Sequence, residues 1–291
     1  MNYAGLVAYK YKGEMPADGI VTIKEGTKGI AGDAFSNRNE LVSVIIPDGV
    51  TAIGSSAFQY CQNLKTINIP NSVTTIGGSA FEGTGWYNEQ PDGLVYAGLV
   101  AYKYKGSMPA DYEIEWKEGT TGIAAYAFQR CGNLTSVTIP NTVQNVGSYA
   151  FDGCYNLSTV AIPRNVTHMG YFVFQYSIPD MYVEWETPIW LDSSVFTGYN
   201  SESVRREMTL YVPIGTLSAY ENAQYWKEFG TIEEYNSSLT DGIEDITADH
   251  AQSTTASNAI YTIDGKRVAK QVGDKLPRGL YIIGKKKVLV K

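Results

Sequence analysis

Apolar positions recur along this chain on a 23-residue beat. Leu41, Val44, Ile46, Val50, Ile53 and the pair Ala57-Phe58 define one period, and polar residues fill most places between them. The unit reads L-x-x-V-x-I-P-x-x-V-x-x-I-G-x-x-A-F-x-x-C-x-N. Its landmarks return as Pro47 and Pro70, Pro140 and Pro163, Leu41 and Leu64, Leu134 and Leu157. Ala-Phe recurs at residues 34–35, 57–58, 80–81, 127–128 and 150–151, and Val173-Phe174 continues the series. In L-x-x-V-x-I the last two apolar positions alternate, which predicts a half-buried strand. Proline ends that strand because it has no N–H for the ladder. V-x-x-I-G predicts a second short extended piece and a glycine corner, and Ala-Phe a single helical turn with Phe pointing inward. One such unit buries too little to offset the entropy of ordering its backbone, so the pattern predicts stacked coils sharing an interior.

Units fall near 18–40, 41–63, 64–86, 111–133, 134–156 and 157–179, with a degenerate one near 180–200 in which Phe196 slips by one place. A 93-residue period overlies the short one: Tyr3–Gly13 (YAGLVAYKYKG) returns unchanged as Tyr96–Gly106. Residues 87–110 therefore read as a hairpin inserted in a solenoid spanning 1–236. The second copy has a lead-in, Gly85-Trp86-Tyr87 and Pro91–Val95, for which the first has no room. This predicts a chain that starts inside a motif of a longer precursor. Leu210–Pro213 reads as a last strand, and the aromatics of 215–229 (Tyr220, Tyr225, Trp226, Phe229) as a helical cap on the open end. Residues 237–258, rich in Ser, Thr, Asp and Ala, read as a linker. Residues 259–291, with strands at Ala259–Val268, Gly279–Ile283 and Lys287–Val290, read as a small separate β module.

Composition narrows the function classes. With 44% hydrophobic and 18% charged residues among 291, this is an ordered protein. The net charge of −7 divides unevenly. Residues 259–291 hold nine Lys or Arg and two Asp, and the remainder 14 basic and 28 acidic groups. An acidic body speaks against nucleic-acid binding, which needs a positive face toward phosphate. The basic tail reads either as a contact for an anionic partner or as a solvated edge. There is neither an apolar run of membrane-spanning length nor a recognisable signal peptide.

The unit with its Ile-Pro, Ile-Gly and Ala-Phe landmarks resembles the BspA-like class of leucine-rich repeats over about 15–235. The insertion WYNEQPDGLVYAGLVAYKYKG is similar to one found in Bacteroides-type members. The ending, AIYTIDGKRV and LPRGLYIIGKKKVLVK, resembles the C-terminal sorting module of proteins exported across the outer membrane of Bacteroidetes. The resemblance implies an α/β, β-rich leucine-rich-repeat solenoid, wound as a right-handed superhelix and followed by the C-terminal β module. It also implies an extracellular or cell-surface location, adhesion to host components, and a C-terminal partner in the outer-membrane export machinery.

Candidate chemistry is sparse. Cys61, Cys131 and Cys154 share one repeat position, three after the inward Phe, so Cys131 and Cys154 stack on adjacent coils. They read as buried thiols or as a disulfide. Asn63, Asn133 and Asn156 read as a turn row whose amides satisfy backbone groups. His168 and His250 have no partners at catalytic or metal-binding spacing, so no catalytic residue, metal site or cofactor is expected. Glu184 and Glu186 read as a carboxylate pair on a strand, as a glycosidase would need, or else as a solvated surface.

Two surfaces remain as ligand candidates. One is the outward strand stripe, expected to run unbroken through Ser43, Ile45, Thr66, Asn68, Glu115, Ser136, Thr138, Thr159, Ala161 and Glu184. The other is the aromatic group of the hairpin: Trp86, Tyr87, Tyr96, Tyr102 and Tyr104. The stripe reads equally as β propensity, and the aromatics read more readily as glue fixing the insertion to the solenoid than as a binding surface. The expected function is binding of a host protein or glycan. The alternatives are a structural spacer within a longer surface protein and, below it, a polysaccharide-acting enzyme.

Overall fold

The computed structural model describes residues 1–110, 112, 114–177, 179–196 and 206–235, and the strands at 260–262, 267–269, 279–283 and 286–290. The coils of residues 18–40, 41–63, 64–86, 134–156 and 157–179 each contribute one strand to each of two stacks. In the first stack, β3 (Ile20–Thr22), β5 (Ser43–Ile45) and β7 (Thr66–Asn68) pair parallel, with Val21, Val44 and Ile67 in register. A second sheet of this stack holds β12 (Ser136–Thr138), β14 (Thr159–Ile162), β16 (Asp180–Val183), β17 (Thr209–Pro213) and β18 (Thr231–Tyr235), in that order. The strand at 210–213, expected to be the last, is thus followed by one more.

The V-x-x-I-G segments form the other stack. β4 (Gly29–Ile30), β6 (Ala52–Ile53) and β8 (Thr75–Ile76) form one run, and β11 (Gly122–Ile123), β13 (Asn145–Val146) and β15 (His168–Met169) another. Each run opens on a hairpin. β1 (Asn2–Ala4) and β2 (Val7–Lys10) give the order β1-β2-β4-β6-β8. β9 (Gly93–Ala97) and β10 (Val100–Lys105) give the same arrangement ahead of β11, β13 and β15. The identical eleven residues thus adopt one structure twice.

The Ala-Phe corner differs from the single helical turn that its pattern predicts. Alternate N–H groups point along the solenoid, and those between them bond back within their own coil. Phe35 donates to the Ala57 carbonyl (2.7 Å), Phe58 to that of Ala80 (2.8 Å) and Phe128 to that of Ala150 (2.8 Å). Successive tight turns close the corner, such as Gln59 N–H to the Ser56 carbonyl and Cys61 N–H to that of Phe58. Two residues of that coil, Ser56 (φ 54°) and Tyr60 (φ 58°), take the left-handed conformation. The corner is therefore a third hydrogen-bonded side, which satisfies backbone groups that burial would otherwise leave unpaired.

Inside, the phenylalanines stack. Ring centroids are 5.1 Å apart for Phe35–Phe58, 5.6 Å for Phe58–Phe81, 5.3 Å for Phe128–Phe151 and 5.6 Å for Phe151–Phe174. Phe196 continues the column 6.2 Å from Phe174 despite the shorter spacing of its unit. A helix at Leu217–Asn222 (α2) and a 3₁₀ turn at Trp226–Glu228 close the end. Their buried Tyr220, Trp226 and Phe229 pack on one another, and Trp226 and Phe229 meet Phe196 edge-on at 5.8 and 5.3 Å. A four-residue helix, Gly85–Asn88 (α1), leads into the second hairpin and is capped by the Thr84 hydroxyl.

Near the C-terminus β19 (Ile260–Thr262), β20 (Arg267–Ala269), β21 (Gly279–Ile283) and β22 (Lys286–Val290) form an antiparallel sheet in the order β20-β19-β21-β22. The expected linker at 237–258, with His250, lies outside the described residues.

Candidate functional site

The hairpin aromatics face the solenoid. Pairing between β9 and β10 shifts register between Ala101 and Lys103, a bulge whose extra residue is Tyr102. Tyr102 is 1% exposed, and its hydroxyl accepts the Phe81 N–H at 3.0 Å. Phe81, Trp86 and Tyr87 surround its ring at 5.3, 6.4 and 5.7 Å. Tyr102 is thereby removed from the ligand candidates, because its ring is enclosed and its hydroxyl engaged. Trp86 and Tyr87 are half-buried against the same core. Tyr96 is half-buried: its hydroxyl accepts the Lys117 N–H at 2.9 Å, and the Lys117 ammonium lies 5.9 Å from the ring centre. Tyr104 meets Tyr112 edge-on at 5.0 Å and lines an open cleft of about 360 Å³ together with Met108, Gln129, Arg130, Cys131 and Asn133.

The outward stripe also differs from expectation. It belongs to two sheets, β3-β5-β7 and β12-β14-β16-β17-β18. Thr66 and Asn68 on β7 are exposed; Ser136 and Thr138 on β12 and Thr159 on β14 are half-exposed. The second hairpin enters between the blocks, so the stripe is not one ribbon. Ala161 and Glu184, expected to face outward, are 7% and 6% exposed. Glu186 is exposed, so the two carboxylates sit in opposite environments.

A different surface does bring aromatic groups together. Tyr126 stacks on Tyr149 with centroids 4.9 Å apart and planes within 4°, and Tyr149 on Phe172 at 5.1 Å and 28°. All three are half-exposed. Each occupies the left-handed corner position just before the inward pair, with φ of 62°, 59° and 56°. That conformation strains a bulky side chain. The first block fills the same position with Asp33, Ser56 and Ser79 at φ 54–56°. The corner therefore does not require rings. Gly78 makes room beneath the row, since a Cβ there would lie 2.5 Å from the Tyr126 ring. Burial, followed by the neighbouring Tyr149 and Asp152, pushes the Tyr126 hydroxyl above the usual phenol range. The signal in the sequence is an aromatic residue before Ala-Phe or Val-Phe at 126, 149 and 172.

The BspA type leucine rich repeat region matches residues 19–89 and 104–209, more than half of the chain, in six copies. The chain belongs to that family. A comparison with curated proteins gave no match. Among solved structures this BspA-type chain is similar to the leucine rich repeat protein TpLRR of T. pallidum, at 23% identity and a TM-score of 0.31 over 61% of this chain and 78% of that one. It is also similar to the pneumococcal vaccine antigen PcpA (15%, TM-score 0.32, 78% and 82%) and to a leucine-rich repeat protein from Bacteroides ovatus (18%, TM-score 0.29, 81% and 76%).

The remaining repeat positions of this BspA-type array serve structure. Side-chain amides of Asn63, Asn133 and Asn156 donate to the carbonyls of Asn39 (2.8 Å), Met108 (2.7 Å) and Gly132 (2.6 Å). The cysteines are free and buried. Cys61 and Cys154 donate S–H to the carbonyls of Phe35 and Phe128 in preceding coils, and Ser177 makes the same bond to Phe151. Burial pushes the thiols up, Cys61 to about 11 and Cys131 to about 12. Such thiols are poor nucleophiles. His168 is exposed beside the Thr167 hydroxyl. Among the described residues no three His, Cys, Asp or Glu side chains gather at metal-binding distance.

Proposed function

We propose that this BspA-type array is an extracellular or cell-surface binding protein that engages an extended host protein or glycan along the Tyr126–Tyr149–Phe172 row. The observation that carries the reading is three rings stacked at strained corner positions where the first block manages with Asp and Ser. The left-handed corner is common to the coils, but a bulky ring bears it at a greater cost than Asp or Ser. Its use at three successive coils points to a use for the rings. Rings held by stacking offer contact area with little side-chain entropy to lose. Their spacing follows the coil repeat, which suits a chain lying along the solenoid axis. Thr159 on β14 and the Ser136 and Thr138 stripe add a second, polar surface in the same block. The C-terminal sheet fits the reading as the part addressed by an outer-membrane export machinery.

The test is a screen of immobilised extracellular-matrix proteins and glycans against the wild-type chain and the triple variant Tyr126→Ser, Tyr149→Ser, Phe172→Ser. Serine is chosen because Ser56 and Ser79 already hold this conformation. Micromolar binding that falls at least ten-fold in the variant, with thermal unfolding retained, supports the row. Silence of the wild type across the panel, or undiminished binding by the variant, overturns it.

A further inference from the structure

The two copies of YAGLVAYKYKG have the same backbone and opposite surroundings. In both, a register shift makes the second Tyr of the run the bulged residue, Tyr9 or Tyr102. In both, the next Tyr bonds forward to its own block: Tyr11 N–H to Ala34 and Tyr104 N–H to Ala127, at 2.8 and 2.7 Å. The bulge thus makes the hairpin two-sided. In the second copy the other side is covered by the coil of residues 64–88. There Ala97 and Val100 are 0% exposed and Tyr102 1%. In the first copy Tyr9 is 58%, Leu6 60% and Val7 36% exposed, and Ala4 is exposed as well. The slot below repeats the contrast. A Cβ on Gly122 would come within 2.1 Å of the Thr74 carbonyl oxygen, whereas the equivalent Gly29 has no neighbour nearer than 3.7 Å.

We propose that the face formed by Ala4, Leu6, Val7 and Tyr9 docks a leucine-rich coil closed by Phe-x-x-Thr-Gly-Trp-Tyr, the chemistry that residues 64–88 present to the second hairpin. The same eleven residues already make this interface once, so shape and polarity match without adjustment. Phe and Trp of the incoming coil enclose the Tyr9 ring, and the N–H of that Phe donates to the Tyr9 hydroxyl, as Phe81 does to Tyr102. A second copy of this chain does not supply the occupant. Its one Thr-Gly-Trp-Tyr coil is already covered by its own second hairpin.

The test lengthens the full chain at its N-terminus by its own residues 1–93, which keeps the 93-residue period, and follows amide hydrogen exchange at residues 7–10 of the original copy. Exchange there is expected to slow at least ten-fold relative to the unlengthened chain, while the amides of 100–105 remain unchanged as an internal reference. Gly29→Ala, expected to leave the unlengthened chain's Tm unchanged, is expected to lower the Tm of the lengthened one. The proposal is overturned if residues 7–10 exchange as before while 100–105 stay protected. It is overturned equally if sedimentation shows the unlengthened chain associating with itself in a way that Tyr9→Lys abolishes, which makes a second copy the occupant.

Discussion

The ring of Phe58 lies 5.1 Å from that of Phe35, within 11° of parallel, although 23 residues separate them. Phe81 covers its other face at 5.6 Å. Phe58 is completely buried, so truncation removes contacts to two neighbouring coils. Phe58→Ala is expected to cost about 3–5 kcal/mol, read from chemical denaturation. Tyr155→Ala, at a position 69% exposed, is expected to stay within about 0.5 kcal/mol of wild type.

Tyr102 and Tyr9 test the value of one hydroxyl in two settings. Tyr102→Phe leaves the buried Phe81 N–H without its acceptor, an expected cost of about 1–3 kcal/mol. Tyr9→Phe, on an exposed ring, is expected to change nothing measurable in the same melt.

The buried thiols predict a pH dependence in the alkaline range. The folded Cys61 and Cys131 hold their protons up to about 11 and 12, against 9.0 for an ordinary thiol. Below pH 9 both folded and unfolded thiols are protonated, and this contribution to stability is fully present. Above pH 9 the unfolded chain releases protons that the folded chain retains, so stability falls as pH rises, through 11 for Cys61 and 12 for Cys131. Denaturation midpoints measured from pH 8 to 11 are expected to decline. A thiol-directed alkylating reagent at pH 8 is expected to label the native chain slowly and the denatured chain fully.

The cap carries the last exposed coil end. Trp226 is 1% exposed, contacts Trp185, Phe196 and Tyr220, and donates its indole N–H to the Ile189 carbonyl at 2.9 Å. Trp226→Ala is expected to cost about 3–5 kcal/mol. Light scattering is expected to rise with it, as uncovered solenoid ends associate.

Much of the fold was legible because periodicity is local information. The 23-residue beat locates both strand stacks, the inward phenylalanines and the asparagine row, and even the slipped Phe196 keeps its place in the column. The corner was misread as helical because its geometry depends on hydrogen bonds to the next coil, which no single unit contains. β18 was missed because Thr231–Tyr235 carries none of the repeat's landmarks and is recruited by pairing with β17.

The candidate site was less legible than the fold. Aromatic residues in an insertion look alike in one dimension whether they meet a ligand or a core. Tyr102 turned inward because a one-residue bulge rotates it toward Phe81, and a bulge is set by pairing between two strands. Tyr126, Tyr149 and Phe172 were overlooked because each alone is an ordinary surface residue; only stacking the coils makes them a row.

The order of residues by itself determined that this chain stacks coils and which side chains line their interior, because alternation and repeat length act within one unit. Only the tertiary structure decided which surfaces stay open. Exposure belongs to neighbouring coils, and two identical hairpins differ entirely in what lies against them.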